Sequence, residues 1–381
     1  MKIIILGDVG SSDTNCQAFL SADADLFSEE IQMLCKYADI VLLNLEKPLT
    51  DVITPLGKCP PDYYAPTGII NGIKLLHPTA VTLANNHIMD QREQGLHSTI
   101  KVLSENGIRY VGAGNNIHEA RLPLILNGQG IRVGVYACCE KEFSFATETA
   151  AGANVFDPLQ SLDDIADLKR KCDYLIVLFH GGMQGYPYPT PYQQKVCRKM
   201  CEKGADLVVC QHSHIIGCEE TYAGGRIVYG QGNFLLDDVD SESWHAGLIT
   251  EVTIGKGDKS VSYIPVLTRN HKTVLHPNTE DVLSAFAERN DKIKNVGEVE
   301  CLFSDACDEK LSDYLMKLAG KSSLMQRVSG RLGITKHYRK LYSMEACYLI
   351  LDYLYCDAHR EAIEYGLNQL INNKMNNKSK Q

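Results

Sequence analysis

Short β-branched runs alternate with segments of helical period from residue 1 to about residue 270, and this alternation confines the chain to a layered α/β architecture. The predicted strands are 2–6, 39–45, 79–84, 131–137, 173–179, 206–210 and 226–229. Helical spacing falls between them at 26–37, 92–106 and 191–203, the last two closed by Gly107 and Gly204 in the helix-ending position. Strands that are continuously apolar are covered on both faces. Segments 247–254 and 261–267 read as a hairpin. From 271 onward the texture is helical, with Leu311, Tyr314, Leu315 and Leu318, then Ala346, Ile350, Tyr353 and Leu354 at helical spacing. The division expected is a domain over 1–270 and an α-helical C-terminal region over 271–381, with 372–381 frayed.

Charge and composition narrow the partners. The 38 Lys and Arg against 47 Asp and Glu leave a formal charge of -9, which opposes nucleic acid and anionic membrane surfaces. No run approaches the ~18 to 20 apolar residues of a membrane helix, so no integral membrane segment is expected. The opening MKIIILG is too short for a signal-peptide core and reads as a first strand, which points to a cytoplasmic protein. Fourteen cysteines lie in apolar runs and on helix-like segments with no Cys-x-x-Cys pair, a pattern of reduced thiols rather than structural zinc.

The predicted strands end, one after another, in metal-ligand residue types. Strand one delivers Asp8, the second Glu46, the third Asn86 and His87, the fifth His180, and the sixth His212 and His214. In open α/β sheets ligands bind at the carboxyl ends of strands. Taken singly, Asp8 and Asn86 are ordinary turn formers or caps, Glu46 has Lys47 as a surface partner, and His180 is an ordinary core or rim histidine. His212 and His214 differ, because i and i+2 on an extended segment share a face. One common cause for the set is a centre of one or two divalent ions that lowers the pKa of a bridging water and clamps a phosphoryl oxygen. A mixed nitrogen and oxygen donor set without thiolate favours Mn, Fe or Zn over Mg.

Eight short motifs occur in series: Gly-Asp-Val (7–9), Asn-Leu-Glu-Lys-Pro-Leu-Thr (44–50), Ala-Asn-Asn-His (84–87), Val-Gly-Ala-Gly (111–114), Phe-His-Gly-Gly (179–182), Gly-Ala-Asp-Leu-Val-Val (204–209), His-Ser-His (212–214) and Gly-Gln-Gly-Asn-Phe (230–234). In order and spacing the series resembles the bacterial capsule-synthesis CapA family, associated with poly-γ-glutamate biosynthesis, over about residues 1–270. That family is similar to calcineurin-like metallophosphatases, so the resemblance implies a β-sandwich flanked by helices with a two-metal site at the strand ends. It implies Asp8 and His214 on a first metal, Glu46 in the bridging position, and Asn86, His180 and His212 on a second. His87 would then face the substrate as a transition-state donor or leaving-group acid, with Asn85 and Asn233 beside the substrate. The chain departs from the phosphatase pattern at Gly10, where Asp-x-His would supply an imidazole, and at Glu46, where Asp is usual. Gln211 and Gly181 depart from it too, standing where the capsule family commonly has a histidine and an aromatic.

The activity implied is that of a metal-dependent hydrolase, phosphoesterase-type and working through metal-activated water, on a phosphorylated or polymeric substrate in capsule or cell-surface polymer synthesis. Hydrolysis of a peptide or γ-glutamyl bond would use the same metals. The alternative is a non-catalytic binding or assembly component with a degenerate metal site, and Gly10 is the residue that favours it. Segment 185–192, with three prolines and three tyrosines, reads as a rigid connector into the 191–203 helix. Tyr188 is its candidate substrate-rim residue. Trp244-His245, after an acidic stretch, reads as a solvated loop.

Overall fold

The apolar run after Met1 forms the strand Lys2–Val9, in which Ile3, Ile4, Ile5 and Leu6 are fully withdrawn from solvent. Burial of each such side chain contributes about 1.5–3 kcal/mol, enough to place this strand at the centre of a sheet. In the computed structural model it pairs in parallel with Ile40–Leu45 and with Asn233–Leu235, and antiparallel with Ala246–Ile254. Parallel pairing continues from Ile40–Leu45 to Ala80–Thr82 and on to Arg109–Val111. On the other side Ala246–Ile254 forms a hairpin with Lys259–Arg269, which pairs antiparallel with Lys272–Leu275. These eight strands make the first sheet.

The second sheet has six strands, ordered Glu219–Tyr222, Gly225–Val228, Leu207–Gln211, Tyr174–His180, Ile131–Cys139, Leu124–Gly128, with the inner four parallel. Alternation along its strands sorts the side chains. Val133, Val135, Ile176, Leu178, Leu207 and Val209 join one core with the first sheet. Their neighbours Tyr136, Cys138, Leu175, Val177, Phe179, Val208 and Cys210 face a second core with residues of the helices Ser161–Lys169 and Pro191–Glu202. Helices Glu29–Lys36 and Arg92–Glu105 add Ile31, Cys35, Leu96 and Leu103 to the first core. The result is the layered sandwich flanked by helices that the sequence predicts.

The structure describes residues 1–58, 61–236, 239, 241–255, 257–318, 342–355, 363, 367 and 371. The chain divides into two compact units, Met1–Phe303 and Ser304–Gln381. Helix Thr279–Lys292 belongs to the first unit and buries Phe286. The second unit contains the helix Met344–Tyr355. The tail 372–381, expected to fray, and most of the acidic stretch before Trp244 lie outside the described residues. Among the described residues no helix is long and apolar enough to cross a membrane, and all twelve cysteines are free thiols.

Candidate metal centre

Parallel register brings the strand ends together. Asp8 pairs with Asn44 in one neighbouring strand and Asn233 in the other, while His180 pairs with Gln211 and Cys139. The close approach at the first strand needs glycine: a Cβ on Gly7 would lie 2.3 Å from the Gly232 carbonyl oxygen.

Beyond these ends Asp8, Glu46 and His180 converge, each buried, with one donor atom apiece within 4.8 Å of the others. Asn44 organises the carboxylates, donating from Nδ2 to Asp8 Oδ1 at 2.8 Å and to Glu46 Oε2 at 2.5 Å. Glu46 Oε1 is buried without a hydrogen-bond partner among the described residues, 3.6 Å from His180 Nε2 and 4.0 Å from His87 Nε2. His180 Nε2 lies 3.1 Å from both Asn86 Oδ1 and His212 Nδ1. Asp8 Oδ2 lies 3.3 Å from His214 Nδ1, which is 2.9 Å from Asn233 Oδ1. An orphaned carboxylate oxygen and three neighbouring nitrogen and amide-oxygen donors fit a divalent cation, since a buried carboxylate without a partner is otherwise costly.

Electrostatics agree with this reading. Burial, reinforced by the nearby Asp8 charge, pushes the Glu46 carboxyl well above the usual range. Burial opposes ionisation of Asp8 as well, but the His214 hydrogen bond and the neighbouring His180 and His214 hold it below its ordinary value. Burial lowers His180 to about 3 and drives His212 well below 6.5, so both imidazoles stay neutral and able to ligate. The folded values lie below the unfolded ones, so this contribution to stability is present above pH 6.5 and lost as pH falls toward about 3. In chelator-treated protein the drop in Tm between pH 6.5 and 4.5 is therefore expected to be smaller in His212→Gln than in wild type. A drop of equal size in the two proteins would show that His212 is not held neutral.

The backbone pays for this placement at the His-Ser-His segment: His212 has φ +92° and His214 φ +57°. The segment is a left-handed turn rather than the extended run anticipated, yet the two rings end 5.8 Å apart. Asn85 is fully engaged nearby, donating to Asn44 Oδ1 and the Leu45 carbonyl while its own Oδ1 accepts from His87 N. Tyr188 is the one candidate not joined to the cluster. Its ring lies 5.8 Å from Tyr186 and packs on the second core, just before Thr190 caps the Pro191–Glu202 helix.

Several neighbours were not singled out from sequence. Asp90 holds His87, with Oδ2 2.7 Å from Nδ1, and Lys58 Nζ lies 2.8 Å from Asp90 Oδ1. The His87-x-x-Asp90 spacing was the available signal. Glu142 accepts from Asn86 Nδ2 at 3.2 Å. Trp244, expected in a solvated loop, lies on the short helix Glu242–His245 with its ring 4.2 Å from that of His214, and its carbonyl accepts from Asn233 Nδ2.

The missing imidazole at position 10 is a filled seat. A Cβ on Gly10 would meet Leu236 Cδ1 at 3.0 Å and Lys47 Cγ at 3.1 Å. Gly10→His is accordingly expected to destabilise the protein by about 1–3 kcal/mol without raising metal content, measured by thermal unfolding and elemental analysis. A gain of bound metal at unchanged stability would contradict the packing.

Residues 2–238 match the family described as bacterial capsule synthesis protein PGA_cap. The chain is 27% identical over 203 residues to the capsule biosynthesis protein CapA of Bacillus anthracis, covering 52% of this chain and 49% of that protein. It is 27% identical over 220 residues to the PGA biosynthesis protein CapA of Bacillus subtilis, covering 56% and 57%. The matches thus span about half the length of these relatives. A solved structure of a novel phosphatase from Mycoplasma pneumoniae is similar at TM-score 0.41 and 16% identity, covering 72% of this chain and 90% of that one. With the match reaching across well over half of its residues, the chain belongs to the bacterial capsule synthesis protein PGA_cap family.

Proposed function

We propose that this protein is a metal-dependent hydrolase of phosphoesterase type, acting on a phosphorylated or polymeric substrate in capsule or cell-surface polymer synthesis. The observation that carries the reading is the buried, unpartnered Glu46 oxygen set among Asp8, His180 and their neighbours. Asp8, Glu46 and His214 would hold one ion, and Glu46, Asn86, His180 and His212 a second. Ions of the Mn, Fe or Zn class would supply Lewis acidity toward a phosphoryl oxygen and a water made acidic near neutral pH.

The chain's own residues do the rest. Asp90 accepts from His87 Nδ1 and fixes the ring, which leaves Nε2, on the Glu46 side, to give a proton to the departing oxygen as its bond to phosphorus breaks. Asn233 orients His214, and Asn85 ties the His87 loop to the second strand. A second reading, a non-catalytic binding or assembly component, draws support from the filled seat at position 10.

The test is turnover of bis(p-nitrophenyl) phosphate and p-nitrophenyl phosphate by Mn-loaded protein beside His212→Ala. Turnover by wild type and background rates in the variant support the hydrolase. Equal background rates remove phosphoester chemistry and leave the binding role.

A further inference from the structure

The loop that follows the strand Ile131–Cys139 is tied down at two points beside the metal centre. Glu140 N donates to the His180 carbonyl at 3.0 Å, and the buried Ser144 donates from Oγ to the Asn86 carbonyl at 2.7 Å. Glu142 lies between these anchors. Its side chain stays 39% exposed, so the core does not depend on it, yet its carboxylate turns inward.

The two oxygens of that carboxylate meet two different partners. Oε2 accepts from Asn86 Nδ2 at 3.2 Å, and Oε1 lies 3.7 Å from His212 Nε2. On each partner the opposite atom faces His180: Asn86 Oδ1 and His212 Nδ1 both lie 3.1 Å from His180 Nε2. Each residue thus shows one edge to Glu142 and its donor atom to the cluster. Flipping the Asn86 amide would set its oxygen against the Glu142 carboxylate and its N–H groups against the cation site. An imidazole that ligates through Nδ1 carries its proton on Nε2, the edge of His212 that faces Glu142.

Charge argues the same way. Of the donors assigned to the second ion, the amide and the two imidazoles ligate without charge, and Glu46 is shared with the first. A carboxylate behind two of the uncharged donors strengthens both toward a dication. A solvated surface glutamate gains little from being held in one geometry. Glu142 is held from two sides.

We infer that Glu142 is a positioning residue, which fixes Asn86 and His212 in the orientations that ligate the second ion. The inference rests on the metal centre of the proposed function, and it holds whether that centre turns over a phosphoester or only retains a ligand.

Zn and Mn affinities of the full chain, measured by competition with a chelator, test it. Glu142→Ala is expected to weaken at least one binding step by about 10–100-fold. Glu142→Gln, which keeps one acceptor oxygen and loses the charge, is expected to fall between that variant and wild type. In an Asn86→Ala background the Glu142→Ala change is expected to cost at least about three-fold less, because one of its two partners is already gone. Metal-free Tm is expected to stay within about 2 °C of wild type in both Glu142 variants. Affinities of Glu142→Ala within about two-fold of wild type overturn the inference, and so does full additivity with Asn86→Ala. A loss of affinity matched by a fall in metal-free Tm makes the role structural and overturns it too. A wild-type chain that binds neither Zn nor Mn removes the metal reading itself; one that binds them regardless of position 142 removes this inference alone.

Discussion

Glu46→Ala is expected to lower affinity for Mn or Zn by at least about 100-fold and phosphodiester turnover by at least about 10³-fold, equivalent to about 4 kcal/mol. Glu46 joins the carboxylate side of the cluster to its imidazole side. Its two oxygens face Asn44 on one side and His180 and His87 on the other, and one of them has no hydrogen-bond partner among the described residues. The carboxylate arises immediately after the strand Ile40–Leu45, whose six residues are all buried, so its position is set by the core and not by a loop. Glu46→Gln separates charge from shape: it keeps the volume and the Asn44 neighbour while losing the anion, and it is expected to lose metal nearly as completely. Elemental analysis of both variants after dialysis checks this, and retention of wild-type metal by either one would place the cation elsewhere.

His87→Asn should behave differently. It is expected to cut turnover by about 10²–10⁴-fold while leaving metal content at the wild-type level, because His87 Nε2 lies 4.0 Å from the Glu46 oxygen while its Nδ1 is committed to Asp90. Asp90→Asn, which leaves the ring in place and weakens its partner, is expected to cost less and to shift the pH profile of turnover. The profile is the discriminating readout, since a merely structural Asp90 would lower activity evenly at every pH. Metal loss in His87→Asn would move this residue from proton donor to ligand.

The parts of the site that were legible in sequence are those fixed by strand periodicity. Asp8, Glu46 and His180 stand at the ends of apolar runs, and Asn86, His212 and His214 lie within four residues after one, where strands of a parallel sheet leave their carboxyl ends at one edge. What sequence did not disclose depends on contacts between segments far apart in the chain. Asn44 sits within an apolar strand, where a lone amide looks like an irregularity; only its register beside Asp8 reveals that it spans two carboxylates. Glu142 and Lys58 come from loops whose paths no local propensity sets. Trp244 was obscured because an acidic stretch ahead of it suggests solvent, whereas the chain turns back through Glu242–His245 and pairs Ala246–Ile254 with the first strand. Gly10 was legible as a departure, but its meaning was not: the Lys47 stem that fills the seat comes from the next strand's end.

Anomalous diffraction from crystals grown with Mn or Zn tests the central claim most directly. The donor geometry predicts a peak bonded to Glu46 and His180 at about 2.0–2.2 Å, with Asp8 or His212 completing the coordination. A metal-free cluster at saturating Mn and Zn, or a cation bound only at sites lacking these residues, would contradict it.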